Sequence, residues 1–142
     1  MNDIEIAKKI LEEKDLRLVV VRDGKLIFKS NDRGIKPMYI LATKMSENTK
    51  GASIADRVIG KGAAMLCRYI GVNEVYGQLM SNTAIKVLKE SNITYTYNGV
   101  CPYIKNRDKT GMCPIEKISL EIEDMNLLLE RIKEFLSNIN KN

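Results

Sequence analysis

The chain contains no histidine among its 142 residues. Without imidazole, acid–base work falls to carboxylates, lysines, tyrosines or thiols. The three cysteines, Cys67, Cys101 and Cys113, include no close-spaced pair of the kind that marks most structural zinc sites. Cys113 is the best candidate nucleophile, in Thr110-Gly111-Met112-Cys113-Pro114. A proline at a first helical position would leave Cys113 as the cap, and a thiol at a helix N-terminus ionises more easily. Lys109 and Lys117 favour that thiolate and Glu116 opposes it. The competing reading is a free cysteine packed as a small apolar side chain. Cys101 lies 11 intervening residues before Cys113. A loop carrying Lys105, Arg107, Asp108 and Lys109 could bring the two thiols together as a redox pair or as two metal ligands. The spacing is a weak metal signal, so neither a metal site nor a cofactor is predicted. Cys67 is expected in the core.

The second candidate is Ser53-Ile54-Ala55-Asp56. Read as the start of a helix, it is a capping box, with Ser53 at the cap and an acid three residues on. On that helix Asp56 would share a face with Ile59, Gly60, Ala63 and Cys67, half-buried at the edge of the apolar stripe. A carboxylate there could act as a base or hold a cation. Arg57, Lys61 and Arg68 would form a basic stripe opposite the core, with a solvated face as the ordinary reading. Ser81-Asn82-Thr83 opens a helix after a strand, where backbone N–H groups can hold an anion, although capping alone explains the residues equally well.

The elements that must position these residues follow from periodicity. Ile4, Ala7, Ile10 and Leu11 recur at helical spacing over residues 3 to 14. Leu18 to Val21 and Leu26 to Phe28, joined by Asp23-Gly24, predict a β-hairpin. A second turn falls at Asp32-Arg33-Gly34, a short helix after Pro37, and a polar loop over residues 46 to 52. Ser53 to Ile70 reads as the longest helix, with Ala55, Ile59, Ala63, Leu66 and Ile70 as its stripe and Gly71 as its stop. Val75 to Met80 reads as a strand, Ser81 to Ser91 as a helix, and Ile93 to Tyr97 as a strand. Residues 98 to 113 read as irregular. Residues 115 to 122 are ambiguous between helix and strand. Asp124 caps a final helix to about Ile139. Strand–helix–strand crossovers after a hairpin imply one α/β domain, residues 1 to 142, with helices packed on a mixed sheet.

Bulk composition narrows the function classes. Charged residues make up 29% and the net charge is +5, but basic and acidic residues interleave. A nucleic-acid binder concentrates positive charge on one face and usually carries stacking aromatics. Aromatics here are 6%, so nucleic acid is not an expected partner. An odd cysteine count, a charged stretch from Met1 to Asp15 and no long apolar run point to the cytoplasm, with no membrane partner.

Several motifs taken together carry a family resemblance. They are Asp32-Arg33-Gly34-Ile35-Lys36-Pro37, Gly51-Ala52-Ser53-Ile54-Ala55-Asp56 with Gly60-Lys61, Pro102-Tyr103-Ile104, Asn106-Arg107-Asp108, and Thr110 to Pro114. From about Leu16 to Asp124 the chain resembles an uncharacterised bacterial and archaeal family of unknown function. The resemblance implies a cytidine-deaminase-like fold, a three-layer α-β-α arrangement whose mixed sheet opens in a hairpin. It also implies association through helices, hence a homodimer. In deaminases the helix after the hairpin opens with a zinc-binding His or Cys, then Ala, then a proton-shuttling Glu. The nearest match here is Ile54-Ala55-Asp56, and the following Pro-Cys turn is matched by Ser81-Asn82-Thr83-Ala84-Ile85, so no zinc chemistry is implied.

The leading expectation is therefore a zinc-free domain binding a small anionic or nucleotide-like ligand. Its site would comprise Asp56, Ser53, Ser81-Asn82-Thr83 and the Cys101–Cys113 loop, with Lys61 or Arg107 as the anion contact. Cys113 would be the nucleophile of any thiol chemistry, and whether the chain is an enzyme stays open. The alternative is a non-catalytic regulatory or interaction domain.

Overall fold

The computed structural model describes residues 1–140. Helix α1 spans Asp3–Glu13, where the Asn2 side chain accepts from the Glu5 N–H at 3.0 Å. Strands β1 (Leu18–Arg22) and β2 (Lys25–Ser30) form the expected hairpin. Asp23 and Gly24 hold φ of 52° and 78°, the paired positive values that a two-residue turn between twisted strands requires. The two Asp3 carboxylate oxygens accept the N–H groups of Asp23 and Gly24 at 2.9 and 2.8 Å, tying the first turn of α1 to the hairpin tip.

Helix α2 (Lys36–Lys44) carries Pro37 in its first turn, as the sequence suggests. The polar segment after it is not wholly loop, because Ser46–Thr49 forms the short helix α3. The larger correction concerns Ser53 to Ile70. It is a strand, β3 (Ser53–Ile59), followed by a helix, α4 (Lys61–Ile70). Gly60 separates them in extended geometry, with φ −98° and ψ −176°. β3 lies inside the sheet between two strands, and its first half is buried on both faces. Strict alternation is therefore absent there, and the apolar residues of strand and helix together mimic one continuous helical stripe.

Strand β4 (Glu74–Ser81), helix α5 (Asn82–Glu90) and strand β5 (Thr94–Cys101) follow. The irregular stretch is thus shorter than expected. Residues 115 to 119 resolve as helix, within α6 (Pro114–Ser119). The last helix, α7 (Met125–Asn140), is capped by Asp124, whose carboxylate accepts the Leu127 N–H at 3.0 Å.

The five strands lie in the order β2-β1-β3-β4-β5. β1 runs antiparallel to β2 and β3, whereas β3, β4 and β5 are mutually parallel. One face of the sheet is covered by α1, which buries Ile4, Ala7 and Leu11 against Val19, Val21, Ala55 and Tyr76. The other face carries α2, α4, α5 and α7 over a larger core that includes Leu18, Val20, Ile54 and Val75.

The parallel strands change face at one level. Ile54 and Ile59 both enter the larger core although they are five residues apart, as do Val75 and Met80. Strict alternation would send each pair to opposite faces. The β3–β4 ladder passes from Asp56–Gly77 to Val58–Leu79, and the β4–β5 ladder from Gly77–Tyr97 to Leu79–Gly99. A Cβ on Gly77 would lie 3.1 Å from both Ile59 Cγ1 and Met80 Cγ, so the missing side chain is what admits those two inward-turned residues.

Candidate functional site

Parallel strands deliver the chain to the same end of the sheet, and crevices at the carboxyl ends of such strands are where α/β folds place ligands. In this domain β3 ends at Ile59 beside Met80, and β4 ends at Ser81 beside Cys101, the last residue of β5. Gly60-Lys61, Ser81-Asn82-Thr83 and Cys101 therefore share one rim.

The Ser81 Oγ is buried, accepts the Ala84 N–H at 3.1 Å, and lies 3.0 Å from Thr83 Oγ1. That is the capping role, and it satisfies one backbone donor of α5 internally. Asn82 is exposed and Thr83 half-buried. The half-buried Cys101 thiol lies 3.7 Å from the Met80 carbonyl oxygen. Burial, and secondarily the Glu116 carboxylate, push its pKa up, with Lys105 opposing. Cys101 is thus held as a thiol rather than a thiolate.

From Cys101 the chain makes a closed loop. Lys105 bridges to Met112, the Asn106 N–H bonds the Gly111 carbonyl at 2.9 Å, and the Asn106 side chain bonds Thr110 at 3.0 and 3.1 Å. The Cys113 N–H closes it on the Ile104 carbonyl at 2.9 Å. Arg107 sits exposed at its tip. Cys113 occupies the cap of α6 ahead of Pro114, as expected, and is half-buried. Its side chain makes no capping hydrogen bond.

Glu116 joins the loop to the sheet. It is 4% exposed, and its two carboxylate oxygens accept the N–H of Lys61 and the N–H of Ile104, each at 2.8 Å. The first backbone donor of α4 thus meets a carboxylate from its own chain, the group a helix N-terminus favours. A Cβ on Gly60 would fall 2.6 Å from Glu116 Oε1, so this approach requires glycine. The Lys61 side chain, expected on a solvated face and as an anion contact, is itself buried. Its Nζ donates to the Leu120 carbonyl and to Glu123 Oε1, both at 3.0 Å. The ammonium is committed inside the fold and holds the Glu123 carboxyl below its ordinary range.

Asp56 is not on a helix. It lies midway along β3, half-buried, flanked in register by Leu18 on one side and the bare Gly77 on the other. Its Oδ1 accepts the Val58 N–H at 3.3 Å. Burial raises its pKa to about 7, against the backbone donors of Val58 and Arg57 and the positive charge of Arg17. The same carboxylate adds to the burial that pushes up the thiol of Cys67, which lies in the core as expected. Arg57, also expected on the solvated face, donates to the carbonyls of Leu11 and Leu16 at 2.9 and 2.8 Å, binding the end of α1.

The family model for a domain of unknown function (DUF1893), described as TM1506, matches residues 6–136. This chain belongs to the DUF1893 family. A crystal structure of a DUF1893 protein from Thermotoga maritima is 30% identical, covers 94% of this chain and 89% of its own, and superposes with a TM-score of 0.85. A second structure from Thermotoga maritima is a diaminohydroxyphosphoribosylaminopyrimidine deaminase/5-amino-6-(5-phosphoribosylamino)uracil reductase. It is 17% identical, covers 68% of this chain and 35% of its own, and has a TM-score of 0.47. No curated protein matches.

In this DUF1893 domain the rim gathers Lys61, Ser81, Asn82, Thr83 and Cys101, with the loop from Arg107 to Cys113 attached to it through Ile104 and Glu116. Ser53 is not there. It starts β3, ~20 Å of extended chain from Ile59, and pairs with Val21 and Glu74 instead of capping a helix. Asp56 lies ~10 Å of strand below the rim, on the core side. Among the described residues no three or more Cys, Asp or Glu side chains converge as a metal site would require. Glu116 is the residue that sequence reasoning assigned only a charge. Neither the acid two residues after Pro114 nor the glycine-flanked Lys61 signals by itself that the two meet, 55 residues apart.

Proposed function

We propose that this DUF1893 domain binds a small anionic ligand, nucleotide-like in its phosphate, at the rim formed by the ends of β4 and β5. The observation that carries the reading is the in-register adjacency of Ser81 and Cys101, from which the α5 N-terminus and the Arg107 loop both depart. Asn82 and Thr83 offer the exposed face of α5, and Lys105 and Arg107 supply positive charge. The α4 N-terminus is not the seat, because Glu116 already occupies it. Any thiol chemistry falls to Cys113, whereas Asp56 lies ~10 Å of strand below this rim.

We also take the fold to be of cytidine-deaminase type, on the support of the opening antiparallel hairpin and the parallel β3, β4 and β5. On that framework the helix after the hairpin is α2, and the following strand-to-helix turn is Gly60-Lys61-Gly62. Ile54-Ala55-Asp56 is then the wrong stretch to set against the zinc motif. Ile35-Lys36-Pro37-Met38 takes its place, Gly60-Lys61-Gly62-Ala63 takes that of Ser81 to Ile85, and neither contains a histidine, cysteine or acid.

Amide chemical shifts test the binding claim. Inorganic phosphate and nucleoside monophosphates should move Asn82, Thr83, Cys101 and Arg107 in a saturable way, and Arg107→Ala should weaken the response. Shifts confined to other surfaces, or none at millimolar ligand, would remove the proposal.

A further inference from the structure

The sheet has two edges, and they are built differently. β2 carries Lys25 and Lys29, and its pairing with β1 shifts register between Val20 and Val21. Edge lysines and bulges are the ordinary devices that stop a strand from pairing with another molecule. β5 has neither lysine nor proline along its eight residues. It sits in a stretch from Ser91 to Ile104, 14 residues without one charge, in a chain that is 29% charged. The next longest uncharged stretch, Val75 to Ile85, covers the interior strand β4, where burial of most residues accounts for it. Burial does not account for it in β5, where Tyr97 is 45% and Val100 49% exposed, with Tyr103 beyond at 37%. Three of the chain's six tyrosines, Tyr95, Tyr97 and Tyr103, lie in this stretch. Aromatic residues gather in, and charges withdraw from, surfaces that are covered by a partner.

The backbone points the same way. Among the described residues no loop or helix hydrogen-bonds to the outer side of β5. α1 packs across β1, β3 and β4, so the flank beside Thr94 and Thr96, both exposed, stays open.

We propose that β5 pairs antiparallel with β5 of a second copy, joining two five-stranded sheets into one across a twofold axis. A second copy fits better than a charged partner because an uncharged strand laid on itself brings no like charges together, while the rest of the molecule carries the net +5. Identical strands running antiparallel also satisfy each other's outward N–H and C=O groups symmetrically and leave no further edge to propagate, since β2 is guarded. This interface is formed by a sheet edge and not by helices.

Light scattering coupled to size exclusion, on the full chain over a dilution series, reads the outcome. The wild type should run at twice the chain mass. Tyr97→Lys with Val100→Lys should halve that mass while leaving circular dichroism and the melting profile of a folded domain. Leu26→Lys, on the exposed part of β2, should leave the dimer intact. If the Tyr97/Val100 variant does not fold, Thr94→Lys with Thr96→Lys carries the same test. A monomeric wild type, or a dimer that persists with lysines on β5, overturns the proposal. So does a dimer lost only on Leu26→Lys.

Discussion

The carboxylate of Glu116 on α6 accepts the backbone N–H of Lys61 on α4 at 2.8 Å, across 55 residues of sequence. Its other oxygen holds the Ile104 N–H. One buried side chain thus fixes the end of β3, the start of α4 and the loop that leaves β5. A charged acceptor on two buried backbone donors is a strong arrangement, because each donor left alone would bear its full desolvation cost.

Glu116→Ala should therefore destabilise the domain by about 3 kcal/mol, read from the urea midpoint at constant slope. Glu116→Gln, which keeps acceptor capacity on one oxygen, should lose less. A value for the alanine variant within about 0.5 kcal/mol of wild type would show that water replaces the carboxylate at no cost.

Gly60→Ala places a methyl 2.6 Å from Glu116 Oε1 and 3.1 Å from Ile104 Cγ1. Overpacking of this kind costs roughly 1–3 kcal/mol. Because the obstacle is the carboxylate itself, the penalty should shrink when Gly60→Ala is made in the Glu116→Ala background. A double-mutant cycle measures this coupling, and strict additivity would place the clash elsewhere.

Asp56 should make stability fall as pH rises. Its pKa is about 7 in the fold, against 3.8 ordinarily. Between those values the folded state binds the proton more tightly than the unfolded state. The resulting stabilisation is complete below about 3.8 and is gone once pH passes about 7. Partial solvent access keeps the effect to a few kcal/mol at most, at about 1.4 kcal/mol per pH unit. Asp56→Asn cannot ionise, so its advantage in melting temperature over wild type should be small near pH 4 and grow up to about pH 8. Parallel melting curves against pH would show that Asp56 is not held in its neutral form.

The three thiols should alkylate in a fixed order under native conditions. Cys113, half-buried beside a loop, should react first with iodoacetamide, and Cys101 more slowly because burial and Glu116 hold its thiol neutral. Cys67 is fully buried and its thiol is pushed further up, so it should react only through unfolding. Peptide mass spectrometry over time gives the order. Labelling of Cys67 at the rate of Cys113 would contradict the packing of α4.

Local signals in the sequence determined α1, the Asp23-Gly24 hairpin, the Ser81 cap and the Asp124 cap. Each depends on residues a few positions apart, so each is legible without the rest of the chain. The segment from Ser53 to Ile70 is the opposite case. Only the neighbours β1 and β4 make its first half a strand, because burial on both faces erases the alternation that would announce one. With that element turned from helix to strand, Asp56 moved beneath the rim and Ser53 to its far end. Lys61 read as a surface charge, since charge is mostly solvated, and Glu116 only as an acid opposing the Cys113 thiolate. Tertiary structure buried both, because the N-terminus of α4 meets a carboxylate that only folding could bring to it.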